Sequence, residues 1–315
     1  MNNLEIDSEK GKQVAIILFD KFNSNEGIFG QNGMPEDILW GSDLSDMGHK
    51  IGSDEHLLFI TMTVSIDYQR DADKLWKAGR ETMGDKETKW LFSPDIVKNK
   101  SINEIIFAMK KYGLSQKHKK DAWIWKSVSE SFANIYHSDP KNLIRECDYD
   151  AIKIFNNKFD IRFKQKFPFF SGDKIFPLWI RMLHDNIGFE LKNLEKIPIP
   201  VDVHIARSTF TTGCLVGEYT GTISDIAPKI DEAWKSVMSK VKHPKLTYRL
   251  QLDEPLWNLS KNGCTHRRGN ICPKKKQCPV GEFCVDNYVS VSSKIIKVTS
   301  KIIHEKSSLD NFMLK

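Results

Sequence analysis

The chain has 315 residues, of which 40% are hydrophobic and 28% are charged, and its formal net charge is +6. This composition excludes a wholly disordered chain, and the length allows one large domain or two ordinary ones. The longest uninterrupted apolar run, Val14 to Phe19, is far shorter than the roughly 20 residues that a membrane span needs.

Apolar residues at intervals of three and four predict a mainly α-helical protein. The first predicted helix runs from Ile60 to Trp76. The second begins at Ser101, which can form a capping box with Glu104. Further helices are predicted over residues 122–136, 152–159, 175–183 and 226–241, with Ser224 capping the last.

Few segments indicate strands. An alternation with a period of two occurs only in short stretches such as Val289 to Val298, so we expect little sheet. Residues 22–52 are rich in glycine and poor in apolar repeats, which predicts an irregular loop. The last dozen residues are rich in Lys, Ser and Asp, and we expect them to be frayed.

A lysine follows a short glycine-containing turn between two of the predicted helices. One helix ends near Phe163, Pro168 and Gly172 form the turn, and the next helix starts at about Asp173. In such a helix–hairpin–helix, glycine lets the backbone approach a DNA phosphate, and the amides of the second helix face the anion. Lys174 lies in the first turn of this second helix, where the positive end of the helix dipole favours a neutral, nucleophilic amine. The alternative is an ordinary surface lysine.

Asp202 opens a later helix after the sequence Ile197-Pro-Ile-Pro-Val201. The two prolines favour an extended backbone, so they should fix the position of the Asp202 carboxylate. A carboxylate held in this way can stabilise a cationic sugar or a protonated amine. The alternative is a purely structural N-cap, which is a common role of aspartate.

Four cysteines lie close together in the C-terminal part of the chain, with the spacing C-x7-C-x5-C-x5-C: Cys264, Cys272, Cys278 and Cys284. In a chain whose start shows no secretory signal, such a cluster indicates a metal site rather than disulfides. Four thiolates can bind zinc or hold a [4Fe–4S] cluster, and either would be structural because no position is left open. Lys274 and Lys275 lie between the ligands and could face a phosphate backbone.

The order of these three features resembles that of the helix–hairpin–helix DNA glycosylase superfamily, which includes endonuclease III and its relatives. The resemblance extends from about Leu57 to Cys284. It depends on the Gly172-Asp173-Lys174 hairpin, the Val201-Asp202-Val203-His204 sequence and the cysteine loop. The Ile-Pro-Ile-Pro-Val-Asp phrase is more similar to the archaeal 8-oxoguanine glycosylases.

This resemblance implies a base-excision enzyme acting on double-stranded DNA that contains a damaged or modified base. Lys174 would attack the sugar C1′, with Asp202 assisting, and an abasic-site lyase step could follow. The backbone at Ser171, Gly172 and Asp173 would bind a phosphate. Asp67, Tyr68 and Gln69 would lie in the segment that contacts the DNA at the target base, although Tyr68 could equally belong to the core. The cofactor would be a [4Fe–4S] cluster, with zinc as the alternative.

The resemblance also implies an all-α, two-domain architecture. Residues 54–185 would form a helical barrel that ends in the hairpin, and residues 1–53 with 186–315 would form a second helical domain that carries Asp202 and the cysteines. We expect a monomeric, cytoplasmic, nucleoid-associated protein with no membrane partner. Two other functions stay open: a monofunctional glycosylase, and a non-catalytic DNA-binding protein with a structural metal loop.

Overall fold

The computed structural model describes residues 4–30, 33–37, 50–269, 271–292 and 295–299, and these are mainly helical, as predicted. Their contacts form two compact units. The central unit comprises the described residues within 31–200 and 247–253, and the terminal unit comprises those within 1–30, 201–246 and 254–315. No described helix is both long enough and apolar enough to span a bilayer. Residues 31–32 and 38–49 of the predicted loop, and the last dozen residues, lie outside the described ranges.

The central unit consists of short helices around a continuous apolar core. Its helices are α2 (Asp54–Val64), α3 (Ala72–Gly84), α4 (Pro94–Val97), α5 (Ile102–Lys110), α6 (His118–Ile135), α7 (Pro140–Glu146), α8 (Ala151–Asn156), α9 (Ile161–Lys166) and α10 (Ile175–Asp185). The predicted capping box of Ser101 and Glu104 begins α5. Trp76, Trp125 and Trp179 are fully buried in the core. The indoles of Trp125 and Trp179 donate to Leu91 O and Thr61 Oγ1, which satisfies their polar atoms.

The predicted helix from Ile60 to Trp76 is wrong, because the chain turns between α2 and α3. The helix ends at Val64, and the Ser65 hydroxyl donates to Met62 O. Gln69 then adopts a left-handed conformation, with φ of 50°. Asp71 accepts a hydrogen bond from the Lys74 amide and thereby starts a new helix. Apolar residues at every fourth position continue across this break, so their periodicity does not reveal it.

A fully buried arginine organises the end of the central unit. Arg181 on α10 forms ion pairs with Glu36 at 2.5 Å and with Asp253 at 3.0 Å, and Asp185 lies 3.7 Å away. One guanidinium thus faces three carboxylates. Burial raises the pKa of Glu36 to about 7, although the charge of Arg181 opposes this effect. Below that pH the buried Glu36 carboxyl group therefore holds a proton.

The terminal unit combines four helices with two small antiparallel sheets. Its helices are α1 (Ser8–Asn23), α11 (Val203–Thr211), α12 (Ile223–Met238) and α13 (Asp253–Asn262), of which Asp253 itself belongs to the central unit. The N-terminal strand β1 (Glu5–Ile6) pairs with β2 (Leu215–Val216). The second sheet has the order β3 (Tyr219–Thr222), β5 (Ile295–Thr299), β4 (Tyr288–Val291), so the predicted strand signal near Val289 is confirmed.

Helices α1 and α12 approach each other closely. A Cβ on Gly11 of α1 would lie 2.3 Å from Val237 Cγ2, so this contact requires glycine. Helix α12 is capped by Thr222, whose hydroxyl accepts from the Asp225 amide, and not by Ser224 as predicted. The buried Trp234 of α12 donates to Thr209 Oγ1 on α11, which ties these two helices together.

The buried proton of Glu36 predicts a pH-dependent stability. Between pH 4.5 and 7 the folded state binds this proton and the unfolded state releases it, so the free energy of unfolding should fall as the pH rises through this window. Replacing Glu36 by Gln should reduce the difference in unfolding free energy between pH 5 and 8 by about 1–3 kcal/mol. Urea unfolding at a series of pH values measures this difference. The same change at exposed Glu55 is the control, and an unaltered pH dependence of the Glu36→Gln protein would contradict the assignment.

Candidate functional site

The predicted hairpin connects α9, which ends at Lys166, to α10, which begins at Ile175. Phe167 and Phe170 are fully buried and anchor the turn, whereas Phe169 between them is 42% exposed and left-handed, with φ of 62°. The second helix starts two residues later than predicted, and Lys174 occupies its N-cap position. The turn therefore presents one aromatic ring and one lysine toward its exposed side.

Two of the three predicted phosphate-binding amides of the hairpin are already used within the turn. The Ser171 amide donates to Phe167 O and the Gly172 amide to Phe169 O, at 3.1 and 3.0 Å. A Cβ on Gly172 would lie 2.9 Å from Phe169 O, so glycine allows this tight return of the chain. The exposed Asp173 carboxylate pairs with the buried ammonium of Lys158. An anion at this turn would compete with the two internal hydrogen bonds.

Lys174 lies beside a carboxylate that is 107 residues away in the sequence. Its Nζ is 3.4 Å from Asp67 Oδ2 and equally close to Asp67 O. The Asp67 residue is only 5% exposed, and its amide donates to Val64 O in the turn that follows α2. The structure thus brings together two of the predicted site residues. A carboxylate in this position holds the ammonium in place and can accept the proton that a nucleophilic amine must lose.

Tyr68 and Gln69, from the same turn, face the N-terminal end of α6. The Tyr68 hydroxyl donates to the fully buried Asp121 at 2.6 Å, and Arg70 pairs with the same carboxylate at 2.5 Å. Burial acts to raise the pKa of Asp121, but the bonds from Tyr68 and Arg70 outweigh it and lower that pKa. Burial also raises the pKa of Tyr68, so its hydroxyl stays protonated. Gln69 is exposed and accepts from Lys117 Nζ.

An aromatic–lysine surface lies next to Lys174 and was not predicted from the sequence. We use this name for Tyr68, Lys117, Lys120, Trp123 and Phe169. The ring of Phe169 stacks on that of Tyr68 with centroids 5.4 Å apart, and the edge of Trp123 meets it at 6.4 Å. Lys120 Nζ is 3.9 Å from the centre of the Phe169 ring, and Lys117 Nζ is 4.7 Å from that of Tyr68. The sequence signal was the basic run 117–120 directly before Trp123.

Asp202 caps α11 in the terminal unit, as predicted. Its Oδ1 accepts from the amides of His204 and Ile205, at 2.7 and 3.0 Å. Its backbone is extended, and Val201 before it is buried. The His204 ring hydrogen-bonds to Ser260 Oγ and lies 5.1 Å from the Trp257 ring. The carboxylate is therefore fixed by two amides and belongs to a different unit from Lys174.

The four predicted metal ligands influence each other electrostatically. Burial raises the pKa of the Cys264 thiol, and the charges of Cys284, Cys278 and Cys272 raise it further, so these three cysteines lie within electrostatic range of Cys264. Burial raises the pKa of Cys278 to about 12 and also raises that of Cys284. Across the described residues, no three His, Cys, Asp or Glu side chains form a group that could hold a metal ion.

The chemistry of this thiol set suits either of the predicted cofactors. The raised pKa values of Cys264, Cys278 and Cys284 keep these thiols protonated at neutral pH until a metal displaces the protons. The nearby side chain of Arg207, whose guanidinium donates to Ser260 and Thr265, adds one positive charge that would offset part of the negative charge of four thiolates. The loop is also tightly built, because a Cβ on Gly27 would lie 2.5 Å from Gln277 O. Lys274 is partly buried and Lys275 is exposed.

Removal of the Asp67 charge should increase the reactivity of Lys174 toward amine reagents. The ion pair holds the Lys174 amine against Asp67, so Asp67→Asn should remove this restraint and raise the acylation rate of the amine at pH 8 about two- to fivefold. Peptide mass spectrometry after brief acylation measures this rate at Lys174. The control is Asp173→Asn, which removes the adjacent carboxylate that pairs with Lys158. Equal rates in all three proteins would show that Asp67 does not control the amine.

The cysteine set should determine the metal content of the purified protein. We expect four iron atoms and a brown colour for a [4Fe–4S] cluster, or one zinc ion for the alternative. Cys264→Ser should abolish most of the bound metal, whereas Cys147→Ser, outside the set, should retain it. Elemental analysis with absorption spectroscopy provides the measurement. A wild-type protein purified without oxygen that contains neither metal would exclude the site.

Neither known protein families nor curated proteins give a match to this sequence. The interpretation of the site therefore depends on the geometry of its own residues. In the central unit, that geometry places Lys174 beside Asp67 and close to an exposed aromatic–lysine surface. In the terminal unit, it provides a fixed carboxylate at Asp202 and four cysteines whose charges influence one another.

Proposed function

We propose that the protein is a base-excision DNA glycosylase with an additional abasic-site lyase activity. The observation that carries this proposal is the contact of the partly exposed Lys174 amine with the buried Asp67 carboxylate, at the end of the hairpin between α9 and α10. A lysine with a proton acceptor at its side, next to cationic and aromatic groups, suits attack on a nucleic-acid sugar. The sequence features shared with the glycosylase superfamily support the same assignment.

The reaction requires a neutral Lys174. Asp67 would take the proton of the ammonium group, and Nζ would then attack the sugar C1′ as the bond from C1′ to the base breaks. The base leaves with its bonding electrons and takes up a proton. Opening of the sugar ring gives an imine between Lys174 and C1′. Loss of a C2′ proton then expels the 3′ phosphate and nicks the strand.

Asp202 would stabilise the positive charge that develops on the sugar as the base departs. Its Oδ1 is fixed by the His204 and Ile205 amides, so the carboxylate need not reorganise during the reaction. The substrate would be double-stranded DNA with a damaged or modified base that is turned out of the helix. The four cysteines would hold a structural [4Fe–4S] cluster or zinc, and Lys274 and Lys275 would contact the phosphate backbone.

A non-catalytic DNA-binding protein is the second candidate. It is favoured by the hydrogen bonds of the Ser171 and Gly172 amides, which are directed into the turn rather than toward a bound phosphate. The aromatic–lysine surface would serve such a protein equally well. A monofunctional glycosylase, in which water rather than Lys174 attacks C1′, is a variant of the first proposal.

Borohydride trapping on duplexes that contain different modified bases, or a plain abasic site, tests the proposal. The wild-type protein should form a covalent complex with at least one duplex, because borohydride reduces the imine. Lys174→Ala should abolish the complex, and Asp202→Asn should slow base release by about 10²–10³-fold. Lys164→Ala, a change of an exposed lysine in the neighbouring helix α9, should trap like the wild type.

The outcomes separate the three functions. Base release without trapping would identify a monofunctional glycosylase and remove Lys174 from the mechanism. Binding to every duplex without release or trapping would support the DNA-binding protein and overturn the enzymatic proposal. Trapping by Lys174→Ala that equals that of the wild type would assign the nucleophile to another amine.

A further inference from the structure

The aromatic–lysine surface contains two large aromatic side chains that are unusually exposed to solvent. Phe169 and Trp123 are 42% and 47% exposed, although both belong to the aromatic group that also contains Tyr68. Phe169 adopts a left-handed backbone, which disfavours a bulky side chain. The strained backbone and the solvent exposure of this apolar ring both destabilise the folded state. An exposed ring held in this way indicates that it binds a ligand.

The charge around these rings is positive. Lys117, Lys119 and Lys120 lie at the start of the 18-residue helix α6, where the N-terminal end of the helix dipole adds further positive potential. The nearby carboxylate of Asp121 is fully buried, and Arg70 compensates its charge. The lysines are therefore available to an anion, and Lys120 already lies over the Phe169 ring.

Exposed aromatic rings interleaved with lysines match the chemistry of an unpaired nucleotide. The rings can stack on a base whose faces are accessible, and the ammonium groups can pair with the phosphates on either side. A fully paired duplex offers the phosphates but keeps its base faces stacked in the helix. The surface therefore fits unpaired DNA better than paired DNA.

We propose that the aromatic–lysine surface binds an unpaired stretch of DNA, with bases packed against the exposed parts of Phe169 and Trp123 and the phosphates held by Lys117, Lys119 and Lys120. The inference extends the proposed function, because it adds that the preferred DNA carries unpaired bases next to the target. It concerns binding alone and does not require Lys174 to react.

Fluorescence anisotropy with undamaged oligonucleotides provides the test. Three labelled DNAs of one sequence are compared: a single strand, a duplex with a central unpaired bubble, and a fully paired duplex. The wild-type protein should bind the single strand and the bubble more tightly than the paired duplex. Trp123→Ala and Phe169→Ala should each weaken binding to the two unpaired DNAs about 5- to 100-fold and change duplex binding less than about threefold.

Two further sets of variants test whether the aromatic rings and the lysines of this surface are responsible for the binding. Trp123→Phe should restore most of the binding, and Phe107→Ala, a change of an 80% exposed phenylalanine on α5, should have no effect. Replacing Lys117, Lys119 and Lys120 by Gln, one at a time, should each lower the salt dependence of single-strand binding by about 0.7 in log–log slope. Circular dichroism melting confirms that each variant is folded.

The proposal is overturned if Trp123→Ala and Phe169→Ala, both folded, bind all three DNAs as the wild type does. It is equally overturned if they lose single-strand and duplex binding to the same extent. These results are independent of the trapping experiment. Binding to unpaired DNA that depends on Trp123, without trapping on any duplex, would retain the surface and reject the glycosylase.

Discussion

The fully buried carboxylate of Asp121 holds the central site together. It accepts hydrogen bonds from the Tyr68 hydroxyl, the Arg70 guanidinium and the backbone amides of Gln116 and Lys117. These four donors come from two segments of the chain, the turn after α2 and the start of α6. A buried charge is tolerated only when it is paired and hydrogen-bonded in this way, so both segments must be in place before the carboxylate is stable.

The position of the other site residues follows from this anchor. With Tyr68 fixed on Asp121, the preceding Asp67 faces Lys174, and the Tyr68 ring supports Phe169 from the hairpin. The lysine, its carboxylate and the stacked rings thus share one support. In the terminal unit, the position of the Asp202 carboxylate is determined locally, because two amides at the start of α11 donate to its oxygen.

Local signals in the sequence predicted the structure well wherever a few neighbouring residues decide it. The capping box at Ser101, the N-cap at Asp202 and the mainly helical fold were all foreseeable. The break of the helix after Val64 was not, because its apolar period of four continues through the turn. The aromatic–lysine surface was not foreseeable either, since it joins segments that are about 50 and 100 residues apart, and only tertiary packing creates such contacts.

The path of the chain has a consequence for how the protein is made. Residues 247–253 belong to the central unit, whereas the segments on either side belong to the terminal unit. Arg181 is therefore synthesised long before Asp253, one of its ion-pair partners, and residues 201–246 of the terminal unit are made in between. During translation, the guanidinium of Arg181 must stay solvated or rely on its earlier partner, Glu36. The last steps of central-unit folding thus wait for residues 247–253, which follow residues 201–246 of the terminal unit in the chain.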